Sequence, residues 1–426
     1  MERSDLRYQA YVEILKEELI PAMGCTEPIA LAYAAAKARE VLGVLPDSVQ
    51  LQVSGSIIKN VKSVIVPNTG HLKGMEAAVA AGIIAGSAEK ELEVISEVSE
   101  EKKSAIRDYL QTVPITIEHT EQGHVFDIVV TERCGQDYAR VRIADYHTNI
   151  CRIERNGTVL YEVPLLDETV QEDARADRSL LNMQDIWDFA ETADLRDVAD
   201  LLERQIRCNN AIAEEGLLGD YGANIGRVLL TTYGNDVSNR AKAKAAAGSD
   251  ARMNGCELPV IINSGSGNQG ITCSVPLIEY AKELHSGKEK LYRALIISNL
   301  VAIHEKTGIG TLSAYCGAVS AGAGAGAGIV YLCGDGYQAA IHTVVNALAI
   351  VSGIVCDGAK ASCAAKIASS VDAALLGYNM YKCNQEFKGG DGIVMKDIET
   401  TIKGIGRLGK DGMRQTNEEI IRLMMS

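Results

Sequence analysis

One uncharged run constrains this chain more than any other feature: Thr307 to Gly334, "TGIGTLSAYCGAVSAGAGAGAGIVYLCG". It is long enough to cross a bilayer. Its composition points elsewhere, because Gly, Ala and Ser offer lipid little side-chain surface. Missing side chains let backbones approach closely. The run therefore predicts buried helices in close backbone contact, and no membrane partner. Such helices need a large core around them. With 47% hydrophobic residues in 426, the chain has one, and with aromatics at only 5% small residues must do much of the packing. The length suits two or three domains. The formal charge of −14 argues against nucleic acid as a partner. The N-terminus is charged throughout and lacks the apolar stretch of a secretory signal, so a cytoplasmic location is expected.

Residues 5 to 20 read as an amphipathic helix, stopped by Pro21. In "PAMGCTEPIALAYAAAKAREVLG", Gly24, Cys25 and Thr26 form a turn. Thr26 is the expected cap and Pro28 suits the first turn of a helix running to Leu42. From Ser48 the pattern alternates like a strand through "VQLQVSGSI", followed by a strand or loop "NVKSVIVPNTG" and a small-residue helix "KGMEAAVAAGIIAG". A charged helix is expected over "AEKELEVISEVSEEKKSAIRDYL", then several strands, with Asn156-Gly157 as a hairpin turn. From about Ser179 the signals are mostly helical. The reading is α+β: a mixed N-terminal part followed by a mainly α-helical C-terminal domain. The expected divisions are 1–44 (helices with the Cys25 motif, packed on the helical domain), 45–170 (α+β) and 171–426 (helical).

Eleven cysteines, an odd number, in a large chain argue against a disulfide framework. Most read as small buried hydrophobes. Cys316, Cys356 and Cys363 lie in Gly/Ala-rich surroundings, the last two in "IVCDGAKASCAAK". Seven residues along an unbroken helix advance about 10 Å, too far for one zinc ion to hold both thiols. Asp357-Gly358 offers a break. A cluster larger than one ion spans thiolates more easily, and three thiolates leave one iron without a protein ligand. Core packing is the competing reading of the same spacing.

Cys25 precedes a helix, and a helix N-terminus favours thiolate. This makes Cys25 a candidate base or nucleophile, opposed by Glu27 if both point the same way. "NSGSGNQG", Asn263 to Gly270, including Gly267 and Asn268, offers clustered backbone N–H groups suited to a carboxylate or phosphate. It reads equally as a structural loop, and it is neither a Walker A loop nor a dinucleotide fingerprint. His147, His71 and Lys73 are further candidates for carboxylate binding or proton transfer. No lysine context marks a pyridoxal phosphate site.

"MGCTEP", "NVKSVIVPNTG…KGMEAA", "GSGNQGI" and "CDGAKASCAAK" together resemble the L-cysteine desulfidase family, which belongs with the alpha-chain-like domain of iron–sulfur L-serine dehydratases. The resemblance covers nearly the whole chain. It implies a [4Fe-4S] cluster held by Cys316, Cys356 and Cys363, with substrate taken by the fourth iron, and no pyridoxal phosphate. Cys333 is a competing ligand position. It implies Cys25 as proton acceptor, and substrate contacts at Thr26, His147, Gly267 and Asn268. The implied reaction is β-elimination of L-cysteine to sulfide, ammonia and pyruvate. The alternatives are L-serine dehydration at the same site and, from another class, a redox or metal-responsive binding protein. The expected partner is a small amino acid, and a homodimer is the default assembly.

Overall fold

The structure is a computed structural model that describes residues 1–120, 124–165, 175–310 and 312–425. Helix α1 (Leu6–Glu18) is capped by Asp5, whose side chain accepts from the Arg7 backbone N–H. Its apolar face meets the helical half: Tyr8 and Tyr11 pack edge-on against Phe189 at 5.1 and 5.4 Å. A short strand, β1 (Pro21–Met23), leads into α2 (Thr26–Leu42). Strand β2 (Ser48–Ser54) alternates as its sequence predicts, with Val49, Leu51 and Val53 buried. The expected strand stops at Ser54, whose hydroxyl donates to the Val125 carbonyl, and Gly55 turns the chain into α3 (Gly55–Val61). Helix α4 (Gly74–Ala85) lies so close to α2 that a Cβ at Gly82 would stand 2.1 Å from the Ala32 carbonyl. The expected charged helix is divided. A 3₁₀ turn covers Ala88–Glu93, and Ser99 caps α5 (Glu100–Thr112) by accepting from the Lys102 N–H.

Strands β3 (Ile115–Thr120), β4 (Asp127–Cys134), β5 (Asp137–Ala144), β6 (Ile150–Arg155) and β7 (Thr158–Glu162) complete a sheet of order β3-β2-β4-β5-β6-β7. Only the β2–β3 pair is parallel. The β6–β7 hairpin turns at Asn156 and Gly157, both with positive φ, as the sequence predicts. Helix α2 lies across β4 and β5, between the sheet and α4.

The rest is helical: α6 (Met183–Thr192), α7 (Ala199–Leu218), α8 (Ile225–Tyr233) and α9 (Val237–Met253), then a second short strand, β8 (Pro259–Ile261), and α10 (Gly267–Glu283), α11 (Lys288–Ile309), α12 (Gly317–Cys333), α13 (Tyr337–Ile350), α14 (Cys363–Lys382), α15 (Ile398–Arg407) and α16 (Arg414–Met425). The glycine-rich run forms α12, surrounded by α10, α11, α13 and α14. A Cβ at Gly324 would stand 2.4 Å from the Ser298 carbonyl on α11, one at Gly322 2.8 Å from Ser370 on α14, and one at Gly328 2.6 Å from Leu277 on α10. Adding a methyl group here costs about 1–3 kcal/mol or more in overpacking. The missing side chains are what allow one helix to touch four neighbours. Among the described residues no helix is long and apolar enough to cross a membrane. The expected division at 170/171 falls outside the described residues.

The contact that matters most for function is small. β1 pairs antiparallel with β8, Pro21 opposite Ile261 and Met23 opposite Pro259. The Ile262 N–H continues the ladder to the Ile20 carbonyl at 3.0 Å. This two-stranded ribbon carries the Cys25 turn at one end and the Asn263–Gly270 loop at the other.

Candidate active site

Gly24 adopts φ +58, and a Cβ there would stand 2.8 Å from the Pro67 ring, so only glycine fits the turn after β1. The turn makes Cys25 the N-cap of α2. Thr26, expected as the cap, is instead the first helical residue. Its hydroxyl donates to the Gly265 carbonyl at 3.0 Å and to Glu27 Oε2 at 3.2 Å. Cys25 caps nothing with its side chain. Its thiol donates to Glu27 Oε2 at 2.9 Å, in the interior. Asn60 on α3 donates to the other oxygen of Glu27 at 2.9 Å. His147 Nε2 stands 3.9 Å from that same oxygen, a charge contact longer than a hydrogen bond.

These neighbours decide two protonation states. Burial pushes the Cys25 thiol well above its ordinary pKa and the Glu27 charge pushes it further, with Arg252 offsetting part. This reverses the lowering that a helix N-terminus alone would give. Burial also disfavours the Glu27 carboxylate, but His147 and the Cys25 thiol more than offset it and hold the carboxyl down at about 2. The resting site is a neutral thiol donating to a buried carboxylate.

The Asn263–Gly270 loop folds against this pair. Ser264 and Gly265 both take positive φ, 49 and 73. His147 lies in the turn between β5 and β6 and its ring covers Gly265, where a Cβ would stand 3.1 Å from Cε1. Phe126 holds the ring edge-on at 4.7 Å. Helix α10 starts at Gly267 without a side-chain cap. The Arg252 guanidinium lies against this start, so close that a Cβ at 267 would stand 2.3 Å from its Nε. Arg252 Nη1 donates to Asn268 Oδ1 at 3.1 Å. Thr26, His147, Gly267 and Asn268 thus surround the Cys25–Glu27 pair. His71 and Lys73 sit at the entry to α4, where Lys73 bridges by backbone to Ile65.

The other cysteines come from three points on the helical half. A backbone bridge joins Tyr315 to Val355, with Cys316 N–H donating to the Ile354 carbonyl at 3.0 Å and Cys356 N–H to the Ala314 carbonyl at 2.6 Å. The bridge sets Cys316 beside Cys356, and the two thiols perturb one another. Its neighbour Cys316 draws the Cys356 thiol below its ordinary value against the effect of burial, with Lys59 helping, while Cys316 is pushed up. The loop between them turns at Gly358, φ +94, where a Cβ would stand 2.1 Å from the Lys59 carbonyl. Cys363 then opens α14, its thiol 3.6 Å from the Gly358 carbonyl, within electrostatic reach of Cys356. Among the described residues no three His, Cys, Asp or Glu side chains converge tightly enough for a single ion.

Two buried cations tie the halves together. Lys59 on α3 hydrogen-bonds to Asn417 Oδ1 at 2.7 Å and the Cys356 carbonyl at 3.5 Å, and it feels the charges of both Cys356 and Glu27. Arg252 feels Cys25, Glu27 and Cys363. Lys59 and Arg252 thus each lie within electrostatic reach of both the Cys25–Glu27 region and the cysteine loop.

The family model for the serine dehydratase alpha chain matches residues 89–422. The chain belongs to that family. A UPF0597 protein of Desulfitobacterium hafniense is 61% identical over 426 residues, covering 100% of this chain and 99% of the relative. Others from Lachnoclostridium phytofermentans and Treponema denticola are 52% and 46% identical, each over 98% of this chain and at least 98% of the relative. In this member of the serine dehydratase alpha family, sequence reasoning missed Lys59, Asn60 and Arg252, and weighed Glu27 only as an obstacle to a thiolate. The available signal was a charged residue in an otherwise apolar or small-residue stretch: "SIIKNV" for Lys59 with its neighbour Asn60, "AAAGSDARM" for Arg252. A charge placed there must find partners when buried.

Proposed function

We propose that the protein is a pyridoxal-phosphate-independent iron–sulfur lyase that converts L-cysteine and water to sulfide, ammonia and pyruvate. The observation that carries this reading is the buried hydrogen bond from the Cys25 thiol to Glu27, in a site that also faces Cys363 through Arg252. The donor set fits the implied [4Fe-4S] cluster. Cys316, Cys356 and Cys363 supply three sulfurs and no oxygen or nitrogen, the soft set that suits iron–sulfur ligation. Bound by these three, the cluster would supply a Lewis-acid iron.

Cys25 and Glu27 supply the acid–base chemistry. For Cys25 to accept the Cα proton it must first lose its own, and Glu27 Oε2 at 2.9 Å is the acceptor in place. In the resting site the proton stays on sulfur, because Glu27 is held low and Cys25 high. A substrate ammonium group entering beside Cys25 adds positive charge and stabilises the thiolate. The thiolate then takes the Cα proton, the electron pair forms the Cα–Cβ double bond, and the Cβ–S bond breaks to release sulfide. The aminoacrylate tautomerises and hydrolyses to pyruvate and ammonia. Burial of Cys25 and Glu27 keeps bulk water from competing for the proton.

L-Serine is the second substrate reading, favoured by the family's own description. The test is an anaerobic assay after iron–sulfur reconstitution, with L-cysteine and L-serine offered separately. Equal sulfide and pyruvate, lost in Cys25→Ala, is the expected result. Pyruvate from serine alone moves the assignment to dehydration. No product from either, with a full cluster, ends the lyase reading for these substrates.

A further inference from the structure

Arg252 is a buried cation whose counter-charge is missing. Its side chain is 2% exposed and carries five N–H donors. One is used, in the 3.1 Å bond from Nη1 to Asn268. Nε is buried with no partner, and among the described residues no carboxylate comes within ion-pair distance of the guanidinium. The acidic groups around it, the Glu27 carboxylate and the thiols of Cys25 and Cys363, act only through space. A cation withdrawn from water with one hydrogen bond is costly unless an anion joins it. The uncapped start of α10 lies directly against it at Gly267, so backbone N–H groups favour the same charge at the same place. Two other buried atoms at this site also lack hydrogen-bond partners: Gln269 Oε1 and His147 Nε2, the latter with only its 3.9 Å charge contact to Glu27. Gln269 is wedged between the Ser264 carbonyl, 3.5 Å from its Nε2, and Gly317, where a Cβ would stand 2.6 Å from its Cδ.

We infer that Arg252, with the N-terminus of α10, is the receptor for the α-carboxylate of the substrate, and that Gln269 Oε1 accepts from its α-ammonium group. The inference rests on the amino-acid lyase reading above. The bound zwitterion supplies the anion that Arg252 lacks and the donor that Gln269 lacks. Gly267 is required because any side chain there would push the guanidinium off the helix start. The rival role for Arg252 is a counter-charge for the cysteine loop through Cys363.

The test uses reconstituted, anaerobic protein and two probes with no β leaving group, L-alanine and L-alaninamide, followed by titration calorimetry. Their binding is read without turnover. L-Alanine is expected to bind about 10- to 100-fold more tightly than the amide, the range of a charge-assisted hydrogen bond. Arg252→Gln should erase that preference and Arg252→Lys should keep part of it, both with wild-type iron and acid-labile sulfide per chain. Gly267→Ala, which keeps the charge but displaces it, should weaken the preference with iron retained. Absence of preference in the wild type, or its survival in Arg252→Gln, overturns the inference. Loss of iron in Arg252→Gln alongside full preference in Gly267→Ala overturns it in favour of the counter-charge role. Acid-over-amide preference in a protein that forms no pyruvate removes the lyase reading and leaves the receptor assigned.

Discussion

Cys25 and Cys356 are both shielded from solvent, and their surroundings push their thiols in opposite directions. Cys25 caps a seventeen-residue helix, yet burial and Glu27 keep it a thiol. Cys356 lies in a loop with no helix behind it, yet it is drawn below its ordinary value by the neighbouring Cys316 and by Lys59. Cys316 also caps a long helix, α12, and is pushed up. A helix terminus contributes about 0.3–2 kcal/mol. Here a hydrogen bond from or to the sulfur, and the sign of the nearest buried charge, outweigh it. Cys25 is therefore held as a thiol, while Cys356 is drawn toward the thiolate.

The largest test of this division is a pair of alanine variants. Cys25→Ala should lower turnover by about 10²–10⁴-fold with iron content unchanged, since only proton transfer is lost. Cys356→Ala should lose iron and turnover together. Equal iron loss in both variants would erase the distinction. Next, Glu27→Gln should move two readouts in opposite directions. Turnover should fall by about 10²-fold as the proton acceptor is lost. Alkylation of Cys25, followed by peptide mass spectrometry in the metal-free protein, should quicken at a fixed pH, because removing the negative charge lowers the thiol pKa. Slower alkylation would mean that Glu27 activates the resting thiol.

A smaller effect concerns acid. The folded-state pKa of Glu27, about 2, is below the unfolded value of about 4.3. Its contribution to stability is complete above about pH 4.3 and is lost as pH falls toward 2. Urea midpoints at pH 6 and pH 3 should fall more in wild type than in Glu27→Gln. Glu305 gives the smallest effect, of opposite sign. Both of its oxygens are buried without a partner, and burial holds its carboxyl neutral, well above the usual range. Stability is then lost as pH rises above the unfolded value of about 4.3, where only the unfolded chain releases the proton. Glu305→Gln should therefore stabilise at pH 7 relative to pH 4. A larger gain at pH 4 would show Glu305 to be paired and charged.

Features that depend on local covalent chemistry were legible in the chain. Pro21 ends α1, Asn156-Gly157 turns the β6–β7 hairpin, and the Gly/Ala run becomes a helix enclosed by helices. Asp357-Gly358, where the sequence offers a break, lies in the loop that separates Cys356 from the start of α14 at Cys363. Misreadings arose where a long-range partner overrode a local preference. Ser54 ends a strand that its pattern would extend, because it bonds to Val125. Thr26 gives up capping because its hydroxyl finds Gly265 across the β1–β8 ribbon, a pairing of two three-residue strands too short to announce themselves.

By itself the sequence determined which atoms were available: eleven thiols, a turn at Gly24 before Cys25, a run of small residues that lets helices close in, and a few charges in apolar or small-residue stretches. Tertiary structure alone decided what those atoms are chemically. Whether Cys25 holds its proton depends on Glu27 turning inward, on Asn60 and His147 holding that carboxylate, and on Arg252 arriving from α9. The reason is electrostatic. Local propensity extends over a few bonds, whereas a buried charge acts through space on whatever the fold brings within several ångströms, however distant in the chain.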